Sequence, residues 1–272
     1  MTTNNVYSRR AFGALLLGTT AACASGPDLE VPAPVVFTEG YGPHFDSGYN
    51  LPGIPPEYTQ GINRRMSGTY LGEAPRNSID VDPYAKFLYH VLDDGTAVRY
   101  PVGVGRAGKS FAGDGIIQLK KKWPGWTPTA NMLRTEPDVY GPFARGIPGG
   151  LRSPLGAAAL YLYRNGRDTY YRIHGTNDLG SIGNSGSAGC IRMFNQDILH
   201  LYDAVPTGVK VHVRSEAESL RVDPENYLRG IELPAKHIDP DAIYGEEAIA
   251  NDRPPDFDAV DPNTLITIVG SN

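Results

Sequence analysis

Glycine and proline clusters cut this chain into short apolar runs, and that spacing constrains the fold more than any other feature. The 272 residues include 32 glycines and 23 prolines, so turns form readily and long helices do not. Sixteen tyrosines add strand preference. Residues 79–92 alternate loosely, Asp93-Asp94-Gly95 reads as a turn, and 97–104 resumes β character, which is a hairpin signal. Further strand-like runs are 115–119, 158–163, 169–173 and 209–213. One helix is expected near Asn195, whose side chain would cap the amides of residues 196–198. Leu199, Leu201 and Tyr202 follow at helical spacing before Pro206 stops it. The expected fold is mainly β, a β-sandwich or barrel-like body with one or two short helices.

The length suits one large domain or two small ones. Hydrophobic residues at 40% and charged residues at 20% describe a globular chain, and no run of 18 apolar residues offers a membrane span. The net charge of -5 gives no general reason to bind nucleic acid. Charge is unevenly placed. Residues 25–75 form a Pro/Gly-rich N-terminal arm of charge -4, read as an extended spacer; 76–214 form a core of +6; 215–272 form an acidic C-terminal extension of -9. That extension is either solvated or folded back on the basic core, and its strand-like residues 264–269 argue against complete disorder.

Residues 1–24 read as an export signal. Ser8, Arg9 and Arg10 precede an apolar stretch over 11–17 and small residues through Ala24, a twin-arginine-like pattern. Cleavage after Ala24 removes Cys23; a lipobox reading instead lipidates Cys23 and anchors the chain to a membrane. Either way Cys190 has no intramolecular partner, which in an exported protein points to a thiol with chemistry to do.

That chemistry concentrates in residues 172–193. Arg172-Ile173-His174-Gly175-Thr176-Asn177 ends a predicted strand, Ser181-Ile182-Gly183 follows, and Ser187-Ala188-Gly189-Cys190-Ile191-Arg192-Met193 comes after a Gly/Ser-rich loop. A thiol is mostly protonated at neutral pH, so an imidazole that accepts its proton makes the nucleophile; His174 is the candidate base for Cys190. Glycines 183, 186 and 189 let the backbone turn its N–H groups inward, and the amides of Gly189 and Cys190 are candidate oxyanion-hole donors. A zinc site fails on ligand count, and no cofactor is called for. His44, His90, His200, His212 and His237 read as surface or packing residues. Arg192 either binds a substrate carboxylate or holds the loop. Arg172 has the same ambiguity, weighted towards structure, while Thr176 and Ser187 read chiefly as structural hydrogen-bonders that also stand where substrate would bind. Trp123 and Trp126 invite a saccharide-stacking reading beside the commoner one of packing.

These motifs resemble the L,D-transpeptidase catalytic domain, the YkuD-like family of ErfK/YbiS type. The resemblance rests on the His-Gly-Thr-Asn at 174–177, the Ser-Ile-Gly at 181–183 and the Ser-x-Gly-Cys-Ile-Arg-Met at 187–193, with weaker similarity over 76–214. It implies a sandwich-like domain with Cys190 as nucleophile and His174 as base. It also implies peptidoglycan stem peptides as substrate, a periplasmic location, and an amine acceptor that is either a neighbouring stem or an amine-bearing protein. Ala188 stands where the family commonly has a second histidine, so one polar ring is missing from the cleft. A non-catalytic wall-binding module and a wall carboxypeptidase or amidase are the rival readings.

Overall fold

The computed structural model describes residues 36–105, 111–186, 190–233 and 244–253. A small hairpin of β1 (His44–Asp46) and β2 (Tyr49–Leu51) comes first, then β3 (Met66–Thr69). The expected hairpin region is a three-strand meander of β4 (Ser78–Asp82), β5 (Phe87–Val91) and β6 (Thr96–Pro101). Two aspartates make its turns. Asp82 Oδ1 accepts from the amides of Tyr84 and Ala85, and Asp94 Oδ1 accepts from both the amide and the hydroxyl of Thr96. The meander is followed by β7 (Gly103–Val104), β8 (Gly113–Lys122), short helices α1 (Ala130–Thr135) and α2 (Pro137–Tyr140), β9 (Ala158–Arg164) and β10 (Arg167–His174). The last elements among the described residues are β11 (Ile191–Arg192), α3 (Asn195–Ala204), β12 (Lys210–Val213), α4 (Glu216–Val222) and α5 (Glu246–Ala250).

Ten strands form one mixed sheet in the order β3-β6-β5-β4-β12-β8-β9-β10-β11-β7. β6 is second and β7 last, yet only Val102 separates them in the chain. In a flat sheet those positions would lie about 38 Å apart, whereas two extended residues span about 7 Å. The sheet therefore curls until its two ends meet. Register shifts within the β8–β9 and β9–β10 pairings mark where strands bend. The curled sheet encloses one apolar cluster to which Ile79, Leu88 and Tyr100 contribute from one end and Leu160, Ile173 and Ile191 from the other. This is the mainly β, sandwich-like body read from the sequence.

Three expectations need correction or detail. The described part of the N-terminal arm is not a spacer: Tyr41, Tyr49, Leu51 and Ile54 are buried, and β3 joins the sheet edge. Its apolar and aromatic side chains bury despite the lack of periodicity. The described part of the acidic extension folds back, with α4 closed by a Ser215–Glu218 capping box and Ile249 buried. Asn195 does not cap α3. Phe194 holds the cap position and makes no side-chain cap bond, while Asn195 is the first helical residue and turns its amide elsewhere. The export signal, Cys23 and residues 264–269 lie outside the described residues.

Candidate active site

Strand alternation places the chemistry. β10 and β11 run parallel with Ile173 opposite Ile191 and His174 opposite Arg192. Both isoleucines are buried in the core, so Arg172, His174 and Arg192 fall on the other face of the sheet. Extending the register by one residue sets Cys190 on that same face, diagonal to His174, with Cα atoms about 8 Å apart on ordinary strand spacings. The Arg172 backbone N–H donates to the Cys190 sulfur. His174 and Arg192 are paired across β10 and β11, and Cys190 stands immediately before β11.

His174 is buried, and its Nδ1 lies 2.5 Å from the Gly175 carbonyl oxygen. A carbonyl only accepts, so Nδ1 carries the proton and Nε2 keeps its lone pair. Burial, then the charges of Arg192 and Arg172, push the imidazole pKa down to about 3 against the pull of the Gly175 bond. Burial raises the Cys190 thiol, opposed by the Arg172 amide and the Arg172 and Arg192 charges. Both shifts favour the uncharged forms of the imidazole and the thiol.

The turn after His174 is held by Asn195. Its Oδ1 accepts from the Ala157 amide at 2.9 Å, and its Nδ2 donates to the Thr176 carbonyl at 3.1 Å and to the Tyr244 hydroxyl at 3.3 Å. The fit requires glycine: a Cβ on Gly156 or Gly175 would come within 2.1 or 2.2 Å of that Oδ1. Thr176 is buried, and its hydroxyl accepts from the Asp178 amide, a turn bond. Asp178 in turn receives Arg192 Nη1 at 3.1 Å. Arg172 is tied more firmly, forked onto Asp168 at 2.7 and 2.8 Å and stacked over Tyr161 at 4.2 Å.

The amides of Gly183 and Gly186 donate to the carbonyls of Val102 and Val104, so they dock the loop onto β7 rather than facing a substrate. Ser187, Ala188 and Gly189 lie outside the described residues. Trp123 is core, stacked on Tyr49 at 4.2 Å with its indole N–H on Asp46; Trp126 is half-buried near Tyr140. His212 pairs with Asp114 and Glu218, and His200 with Tyr100. Among the described residues no cluster of His, Cys, Asp or Glu has the makings of a metal site. The sequence signals Asn195 only as a cap and gives no signal for Tyr244 or Asp178, because their contacts are distant in sequence.

Residues 76–213 match the model of YkuD, the L,D-transpeptidase catalytic domain. The chain belongs to this family. Among curated relatives it is 32% identical over 142 residues to the probable L,D-transpeptidase ErfK/SrfK of Escherichia coli, covering 52% of this chain and 44% of that protein. To YbiS, also a probable L,D-transpeptidase of Escherichia coli, it is 33% identical over 142 residues, covering 52% and 45%. The chain thus matches less than half the length of these relatives. A solved Brucella melitensis structure described as a probable carnitine operon oxidoreductase is 41% identical, covers 55% of this chain and 93% of its own, and superposes with a TM-score of 0.40. The expected family membership holds, and the match ends where the acidic extension begins.

Proposed function

We propose that this L,D-transpeptidase domain is a cysteine-dependent acyltransferase acting on peptidoglycan stem tetrapeptides in the periplasm. The observation that carries the reading is the fixed Nδ1–H of His174, which leaves Nε2 as a base on the face that also bears Cys190. Nε2 takes the thiol proton as Cys190 sulfur attacks the carbonyl of the third stem residue. The tetrahedral oxyanion is met by the amides of Gly189 and Cys190. The C–N bond to the terminal D-alanine breaks, its nitrogen receives the proton from His174, and a thioester remains. An incoming amine then gives a proton to His174 and attacks the thioester, freeing the thiol. A diaminopimelate side chain as acceptor forms a 3-3 cross-link; a protein lysine tethers that protein to the wall; water makes the reaction a carboxypeptidase. Arg192, with Ser187 of the preceding loop, binds the donor stem, while the buried Thr176 shapes the turn. No cofactor enters the scheme.

The test is intact mass spectrometry of the protein mixed with purified disaccharide-tetrapeptide, beside a Cys190→Ala control. An adduct equal to substrate minus alanine, on the unaltered protein alone, is expected. Folded protein giving no adduct, no free D-alanine and no dimer would favour a wall-binding module instead.

A further inference from the structure

The C-terminal extension lies outside the matched family segment, yet one of its residues reaches the back of the site. Tyr244 is packed against the main apolar cluster, and its hydroxyl is one of the two acceptors used by Asn195 Nδ2. Asn195 in turn bridges the residue before β9 and the turn after β10, through the Ala157 amide and the Thr176 carbonyl. A carboxamide has two N–H donors; one is answered by Thr176 and the other by Tyr244. The carbonyl so held belongs to the Thr176–Asn177 peptide, the next unit along from the Gly175–Thr176 peptide whose carbonyl fixes the imidazole. We propose that Tyr244 is a positioning residue for His174, its hydroxyl locking the Asn195 carboxamide so that the Gly175 carbonyl keeps Nδ1 protonated and Nε2 aimed at the thiol. The catalytic domain of this chain is therefore completed by its own extension. The inference rests on the reading of His174 as the base.

Removing only the hydroxyl, Tyr244→Phe, keeps the ring but leaves a buried amide proton unanswered. The turn then loosens, and small displacements of a reacting group lower the rate of the chemical step more than substrate binding. The expected result is a fall in kcat of about tenfold with KM within about twofold. In ¹⁵N-histidine spectra the His174 pair of resonances should move away from the Nδ1–H pattern. Ile249→Val is the control, since it trims buried packing of the same extension without touching this chain of bonds. It should leave both readouts unchanged. A Tyr244→Phe protein with unaltered kcat and unaltered His174 resonances overturns the proposal, as does an Ile249→Val protein that loses as much. If the unaltered protein forms no acyl-enzyme, the transpeptidase reading fails, while the His174 resonances of Tyr244→Phe still decide the positioning role.

Discussion

Two polar clusters sit at strand ends on this sheet, and they are built on opposite terms. Between β4 and β12, the guanidinium of Arg214 is buried against two buried carboxylates, with Nε and Nη2 on Asp80 and Nη1 on Asp82. Hydroxyls of Tyr70 and Ser219 add further donors to the same aspartates. Between β10 and β11, His174 is buried and Cys190 half-buried with two arginines beside them, but each arginine is tied to a carboxylate of its own, Asp168 or Asp178. The first cluster answers every charge and holds the meander to β12. The second holds an imidazole whose pKa is pushed down and a thiol whose pKa is pushed up, so neither group gains a stabilising charge, and such perturbed groups cluster at reactive sites.

Arg214→Ala tests the first half of that contrast and should have the largest effect. It strands Asp80 and Asp82 in the interior without a counter-charge, and breaking a buried pair from one side costs about 3–5 kcal/mol. Urea unfolding should show a loss of that size with an unchanged m-value. A loss under about 1 kcal/mol would mean that water or local relaxation answers the aspartates.

The two clusters also hold histidines with opposite pH signs. Burial opposes protonation of His212, but the Asp114 hydrogen bond and the Glu218, Asp80 and Asp114 charges outweigh it and raise its pKa above the ordinary 6.5. A raised pKa gives stability that is present below 6.5 and lost as pH rises through the folded value. His174, pushed down to about 3, behaves the other way. Between pH 6.5 and about 3 the unfolded chain takes up a proton that the folded chain refuses, so stability falls as pH falls, by up to about 1.4 kcal/mol per pH unit. Urea midpoints across pH should therefore separate two variants. His212→Gln should lose stability relative to the parent on the acid side of neutrality and match it in mild alkali. His174→Gln should flatten the acid limb and leave the alkaline side unchanged. Parallel curves for the two variants would break the comparison.

Much of this was legible because strands and nucleophile motifs are local. The runs at 158–163 and 169–173 became β9 and β10 within two residues, and His174 and Cys190 stood out because a lone thiol and a strand-ending imidazole have few structural uses. What escaped was non-local. Asn195 suits a helix start by residue type, yet the backbone groups of Ala157 and Thr176 compete for its amide and win because they are buried and otherwise unanswered. Glycines 183 and 186 look like oxyanion-hole material until β7 appears beside them, and β7 is two residues long. The acidic extension carries a net charge that suggests a solvated tail. Its Tyr244 and Ile249 pack inward nonetheless, which average charge does not reveal.

The smallest stability effect expected separates the two arginines that flank Cys190. Arg172 is forked onto Asp168 and stacked on Tyr161, whereas Arg192 reaches Asp178 through one nitrogen at 3.1 Å with both side chains partly exposed. A partly hydrated single contact contributes about 1 kcal/mol or less. Arg192→Met should therefore unfold within about 1 kcal/mol of the parent, while the loss of a fork for the donor carboxylate raises KM for the tetrapeptide by more than it lowers kcat. Arg192→Lys should keep the charge yet recover only part of the affinity, because an ammonium cannot hold a carboxylate in two parallel bonds. Equal stability losses for Arg192→Met and Arg214→Ala, with KM unmoved, would place Arg192 among the structural charges and leave the stem carboxylate to another group.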